Sequence, residues 1–138
     1  MPLQPKRVKH RKVHRGRLRG VASRGTTVAF GDYGLQSLEV GLVTARQIEA
    51  SRVAATHFLA HEGRVYIRIF PQKSFTSRPA ESRMGKGKGE PEFWAAEIRP
   101  GRVLFEMAGV TEGEAREALH RASAKLPMQT RVVARQVV

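Results

Sequence analysis

The stretch "RMGKGKGEPEFW", residues 83–94, sets glycine and lysine in strict alternation and then stops at a proline and two aromatics. Three kinds of chemistry could use it: a phosphate cradle in a nucleotide enzyme, a flexible linker, or a finger of bare backbone and point charges laid against nucleic acid. A phosphate-binding loop needs G-x-x-x-x-G-K-[ST] between a strand and a helix, where the helix dipole and a hydroxyl complete the site. The chain has no such string. The dinucleotide fingerprint G-x-G-x-x-G also fails, since Glu90 stands where the third glycine belongs and Pro91 and a strand pattern follow. Linkers favour Gly and Ser and join domains, whereas here Arg78, Arg83, Lys86 and Lys88 stand against Glu81 between strands of one domain. Glycine opens the backbone N–H to a phosphate or sugar, and lysine adds a charge on a flexible stem. The segment therefore reads as a nucleic-acid contact loop.

Other chemistry is thin. His57 and His61 are spaced i,i+4, which can chelate a metal, but the zincin pattern is His-Glu-x-x-His and here Glu62 follows the second histidine. No third ligand suggests itself, so no metal or cofactor is expected, and the pair reads as wet-face or RNA-facing histidines. Tyr66, Phe93 and Trp94 have rings that stack on bases, yet as strand residues they read first as core. No Ser/His/Asp or paired-carboxylate set is evident, so an enzyme is not expected.

The totals agree with a polyanionic partner. In 138 residues, 25 Lys+Arg face 12 Asp+Glu, a net charge of +13, with a pI near 11.4. Such a surface attracts nucleic acid or an anionic membrane. No run approaches the roughly 18 apolar residues of a membrane span, and neither expected helix pairs a broad apolar face with a lysine-rich one. The first residues lack the apolar core of a secretory signal. They are basic and acid-free, as in a mitochondrial transit peptide, but Pro2 and Pro5 oppose the amphipathic helix such a peptide forms. With no cysteine, disulfides and thiolate metal sites are excluded and a reducing cytosol is permitted.

The charge is concentrated. Lys6, Arg7, Lys9, Arg11, Lys12, Arg15, Arg17, Arg19 and Arg24 precede the first acid, Asp32. Residues 1–24 are therefore expected to form a basic extended arm, shaped by a polyanion, with Val8, Val13 and Leu18 as anchors and Gly16 and Gly20 as bends. Residues 25–138 read as a single domain. "TTVAFGDYG" suggests a short strand running into a glycine turn. Thr44-x-x-Gln47 is a capping box opening a helix to about Glu62, with Gly63 as its C′ residue and Ile48, Ser51, Ala55, Phe58 and Leu59 facing inward. "RVYIRIF", residues 64–70, alternates as a strand with Val65, Ile67 and Ile69 on one face. Residues 71–92 show no period and read as a long irregular loop, which in a compact domain is usually functional. "FWAAEI" and "RVLFEMA" flank Pro100-Gly101 as a hairpin with a type II turn. Thr111-x-x-Glu114 opens a second helix with an Ala115, Ala118, Leu119, Ala122, Leu126 stripe, ended by Pro127, and "TRVVARQVV" closes the chain as a strand. The fold class is α+β, an antiparallel-dominated sheet with two helices, a basic arm and a long Gly/Lys loop.

Residues 83–89 followed by Trp94 resemble the signature of the bacterial large-subunit ribosomal protein family L-sixteen/L-ten-e. A second signature of that family is matched by "GRVYIRIFP", and "PKRVKHRK", "GRLRG", "FGDYGL", "TARQIEA", "RPGRVLFE", "GVTE" and "KLP" fall in family order from Pro5 to about Val133. The resemblance implies an α/β-hammerhead fold and a cytoplasmic place in a bacterial-type large ribosomal subunit, beside other large-subunit proteins. It implies binding to 23S ribosomal RNA near the peptidyl-transferase region and contact with A-site transfer RNA, with P-site transfer RNA as a further candidate. By position, Lys6, Arg7, Lys9, Arg11, Lys12, Arg15, Arg17 and Arg19 would hold ribosomal RNA. Arg78, Arg83, Met84, Gly85, Lys86, Gly87, Lys88 and Gly89 would reach toward transfer RNA. Two departures stand out: Tyr66 replaces a tryptophan, and Ala60-His61-Glu62 replaces a basic pair before the glycine, which puts in doubt any phosphate contact at that helix end. The competing reading is a free-standing nucleic-acid-binding or nucleotide-dependent enzyme that shares the fold.

Overall fold

The structure, a computed structural model, describes residues 5, 20–60, 62–76 and 91–136. Among these residues the elements run β1 (Tyr33–Ser37), β2 (Gly41–Thr44), α1 (Ala45–Phe58), β3 (Arg64–Ile67), β4 (Lys73–Thr76), β5 (Pro91–Ile98), β6 (Val103–Ala108), α2 (Glu112–Ser123) and β7 (Thr130–Ala134). The fold is α+β, as expected, but the strands form two sheets: a four-stranded one in the order β3-β6-β1-β7 and a three-stranded one in the order β2-β5-β4. Every strand pair is antiparallel.

Both sheets feed one core. Leu35, Phe105 and Met107 from the first sheet, Val43, Ala96 and Ile98 from the second, and Ile48, Ala55, Ala115, Ala118, Leu119 and Ala122 from the helices form one buried cluster. Removing such a volume of apolar surface from water is the main favourable term for a domain of this size. The alanines of α2 let the helices approach closely, and the buried Ser51 hydroxyl donates across that contact to the Ala122 carbonyl at 3.0 Å.

The α1 capping box is present in both directions. Thr44 Oγ1 accepts from the Gln47 N–H at 3.2 Å, and Gln47 Oε1 accepts from the Thr44 N–H at 2.9 Å. The helix ends at Phe58, short of the Glu62 expected from the sequence, and the residue that turns left-handed is Ala60, at φ 49°. Gly63 is also left-handed, at φ 71°, but it leads into β3, where a Cβ would lie 2.6 Å from the Ala108 carbonyl oxygen. At α2 the Thr111 hydroxyl accepts from the Glu114 N–H at 3.3 Å, and Glu112–Arg116 and Glu117–Arg121 pair as the spacing predicts. This helix stops at Ser123. Two i→i+3 bonds, from the Lys125 and Leu126 N–H groups, carry the chain on toward Pro127.

Four further expectations are corrected. The strand sought in residues 26–34 lies later, at β1, and residues 26–32 are irregular because the backbone donors of Ala29, Phe30 and Gly31 go to a carboxylate rather than to a neighbouring strand. β3 ends at Ile67, ahead of Pro71, although the Arg68 N–H still reaches the Leu104 carbonyl at 2.9 Å. The expected loop over residues 71–92 contains β4 and the start of β5. Phe75 stacks on Phe93 with centroids 5.2 Å apart, a cross-strand pair invisible to a period search over four residues. β5 and β6 do not form a hairpin, because β5 pairs with β2 and β4 while β6 pairs with β1 and β3.

The Pro100-Gly101 turn does form, with Gly101 at φ 97°, but it carries the chain from one sheet to the other. Its donors and acceptors go to the end of β1. Gly101 N–H donates to the Ser37 carbonyl and Ser37 N–H to the Arg102 carbonyl, each at 2.8 Å, while Gln36 Nε2 donates to the Gly101 carbonyl at 2.9 Å. β1 itself leaves for the second sheet just beyond, through residues 38–40. Two of the chain's passages between the sheets, β1 to β2 and β5 to β6, are thus fastened to each other.

Candidate nucleic-acid interface

The proposed RNA-binding residues of the arm and the proposed loop residues, from Lys6 to Arg19 and from Arg78 to Gly89, lie outside the described residues. What is described is where each segment joins the domain. The arm meets the four-stranded sheet at its crossing turn, where Ala22 N–H donates to the Pro100 carbonyl at 2.9 Å and Val103 N–H to the Gly25 carbonyl at 2.7 Å. The Gly/Lys segment joins at the open end of β4–β5, where Thr76 stands opposite Pro91. Its two ends are therefore neighbours across one antiparallel pair, on the central strand and one edge of the smaller sheet. At the opposite end of this pair, Lys73 Nζ lies 3.5 Å from Glu97 Oε1.

The aromatic candidates divide. Trp94 is buried in the body of the domain. Phe93 is half exposed on Phe75, and Tyr66 is half buried beside the ring of Phe30, 5.8 Å away. His57 is exposed on α1, and its intended partner His61 lies outside the described residues. Among the described residues no three His, Cys, Asp or Glu side chains come together as a metal site.

The sequence reading missed Glu106. It sits in β6 among Val103, Leu104, Phe105 and Met107, and its side chain is fully buried. The strand alternation turns it away from Phe105 and Met107, toward segment 26–32, which covers the outer face of the four-stranded sheet. There Oε1 accepts from the N–H groups of Ala29, Phe30 and Gly31 at 3.0, 2.7 and 2.8 Å, and Oε2 pairs with Nη1 of Arg68, the residue just past β3. Burial pushes this carboxyl upward, but the Gly31 N–H, the Arg68 guanidinium and the Phe30 and Ala29 N–H groups outweigh it and hold the group below the 4.5 of a free glutamate. Gly31 has no alternative, since a Cβ there would stand 2.5 Å from the Met107 carbonyl oxygen. A lone acid inside an apolar strand was the available signal, because a buried charge requires a partner, and Arg68 on the outward face of "RVYIRIF" supplies it.

The electrostatic result is one-sided. Among the described residues, Glu49, Glu97, Glu106, Glu112 and Glu117 each pair with a nearby Lys or Arg. Arg64 and Arg131 lie exposed at the β3 and β7 edges of the larger sheet, Arg131 Nε donating to Gln36 Oε1 at 2.8 Å. These five acids are matched locally, while over the whole chain 25 Lys+Arg outnumber 12 Asp+Glu, which suits a polyanionic partner.

Comparison with known proteins bears directly on this arrangement. The family described as Ribosomal protein L16p/L10e matches residues 5–133. A protein of Akkermansia muciniphila named "Large ribosomal subunit protein uL16" is 62% identical over 138 residues, covering 100% of this chain and 99% of its own length. A protein of the same name from Rhodopirellula baltica is 56% identical over 136 residues, covering 99% of each. With the α+β fold, the cationic surface and a match over nearly the whole chain in agreement, the protein belongs to the ribosomal protein L16p/L10e family and is a structural component rather than an enzyme.

Proposed function

We propose that the protein is a cytoplasmic constituent of the large ribosomal subunit that binds 23S ribosomal RNA near the peptidyl-transferase region and contacts A-site transfer RNA, with the P-site transfer RNA as a second contact. In this division of labour the arm residues Lys6, Arg7, Lys9, Arg11, Lys12, Arg15, Arg17 and Arg19 replace counterions on ribosomal RNA. The segment from Arg78 to Gly89 reaches the transfer RNA. The observation that carries the reading is the rooting of the two cationic segments. One leaves from the crossing turn of the larger sheet, the other from the end of β4–β5 in the smaller sheet, so each has its own anchorage on a shared core. Two separately anchored segments can serve two RNA surfaces.

The test separates them. Deleting residues 2–19, which leaves the Ala22–Pro100 bond in place, should abolish salt-dependent binding to a 23S fragment and reduce incorporation into subunits. Replacing Arg83, Lys86 and Lys88 with alanine should leave incorporation near wild type and slow transfer-RNA accommodation. Affinity should fall with salt with a log–log slope of roughly −0.7 to −0.9 per neutralised phosphate. If the triple variant failed to incorporate while its few assembled particles accommodated transfer RNA normally, the assignment of roles would be wrong.

A further inference from the structure

We propose that the Phe30 ring, flanked by Tyr66 and Arg68, is a stacking platform for an unpaired nucleobase of folded RNA. The proposal rests on the RNA-binding reading above and adds a site to it. Phe30 is 62% exposed, the most exposed aromatic among the described residues. Single exposed apolar side chains are ordinary on protein surfaces. This one is unusual in how it is fixed.

Its own N–H is held by the buried Glu106 carboxylate at 2.7 Å, those of Ala29 and Gly31 share the same oxygen, and the Asp32 N–H donates to the Met107 carbonyl at 2.7 Å. The backbone carrying the ring is thereby fastened to the middle of β6 from both sides. On the ring itself, Tyr66 stacks at 5.8 Å with 28° between planes, and Arg68 Cζ lies 5.0 Å from the centroid. Arg68 is also the partner of Glu106, so one buried carboxylate orients both the loop and the cation beside the ring.

The chemistry fits a base better than an apolar peptide. β3 alternation puts the exposed Arg64 on the same strand face as Tyr66, and Arg68, just past the strand, lies against the Phe30 ring, so guanidinium groups stand on the side of the sheet that carries the rings. The exposed Asp32 is the nearby acid in sequence, and Glu106 is already matched. Aromatic rings with adjacent arginines are what single-stranded and extruded bases stack on, with the cations taking the phosphates. Fixing the ring in advance lowers the ordering cost of binding.

The experiment uses the full chain as wild type, Phe30→Ala, Phe30→Leu and Phe30→Trp. The probes are a twelve-nucleotide oligoadenylate and an abasic ribose-phosphate oligomer of the same length. Phe30→Ala should weaken oligoadenylate binding about 5- to 150-fold, the range for loss of one base–aromatic stack. Phe30→Leu should lose nearly as much, since it keeps apolar area but no ring, and Phe30→Trp should bind at least as well as wild type. All four should bind the abasic oligomer equally, with one salt slope. Oligoadenylate should quench the added tryptophan of Phe30→Trp against the constant background of buried Trp94, and the abasic oligomer should not. Equal oligoadenylate affinity in all four proteins overturns the stacking site while leaving salt-dependent RNA binding intact. Wild type that binds neither oligomer overturns the RNA-binding reading and the platform with it. Intact oligoadenylate binding together with lost association to a neighbouring ribosomal protein overturns the platform in favour of a protein contact.

Discussion

Replacing Glu106 with glutamine changes one atom and tests the internal electrostatics of the domain. The glutamine oxygen can still accept from the N–H groups of Ala29, Phe30 and Gly31, now at 2.7–3.0 Å from a charged acceptor. Bonds to a charged acceptor contribute about 1.5–3 kcal/mol each and neutral ones about 0.5–1.5, so three weakened bonds account for roughly 3–4 kcal/mol. The Arg68 guanidinium, whose side chain is only 19% exposed, loses its counter-charge and faces an amide NH2 instead. Together these place the cost at about 3–5 kcal/mol, the range for breaking a buried pair, which lowers the thermal midpoint by on the order of 10–20 °C. Denaturant unfolding followed by circular dichroism measures it. A second arm replaces Arg68 with methionine as well. That double variant should recover the part due to the stranded guanidinium and not the part due to the N–H bonds.

The pH dependence carries an independent signature. The folded Glu106 carboxyl lies below its ordinary value of 4.5, so its stabilisation is fully present above the unfolded value and is lost as pH falls through the folded one. Wild type should lose stability as pH falls below about 4.5 by more than Glu106→Gln does, and the two curves should converge in acid. A glutamine variant within about 0.5 kcal/mol of wild type, with a parallel pH profile, would refute the reasoning.

Further expectations concern the ends of α1. Thr44→Ala removes the hydroxyl half of a reciprocal box and should cost about 1 kcal/mol in urea unfolding. Ala60→Gly relieves a left-handed alanine at φ 49° and should raise stability by about 0.5–1 kcal/mol, the strain removed less the added freedom of the unfolded chain. Neither variant should alter the salt slope of RNA binding.

Local chemistry was legible in the sequence wherever it is settled by nearby residues. The Thr44 and Thr111 caps, the alanine stripe of α2 and the Glu–Arg pairs of its wet side depend on spacings of three and four, and all are found. The partition of strands into two sheets was not legible. "FWAAEI" and "RVLFEMA" around Pro-Gly have every mark of a hairpin, and what separates them is the competition of Ser37 and Gln36, over sixty residues earlier, for the turn's backbone groups. β4 escaped notice because four residues carry too little period, and its support is the ring of Phe93 on another strand. The helix end was misplaced because glycine is the usual left-handed residue, and here Ala60 takes that role while Gly63 serves a close approach to Ala108. Of the proposed site, the two cationic segments are read from charge and glycine alone and lie outside the described residues. The Glu106 network was missed because its donors are backbone groups, which no residue type announces.

The proposed contact between the Gly/Lys segment and transfer RNA is tested most directly by placing a photoreactive side chain at position 86, in place of Lys86, within assembled ribosomes that hold A-site transfer RNA. Cross-linking to that transfer RNA, abolished when the A site is empty, is the predicted result. Ribosomes that incorporate the substituted protein normally yet give no transfer-RNA adduct would contradict the account.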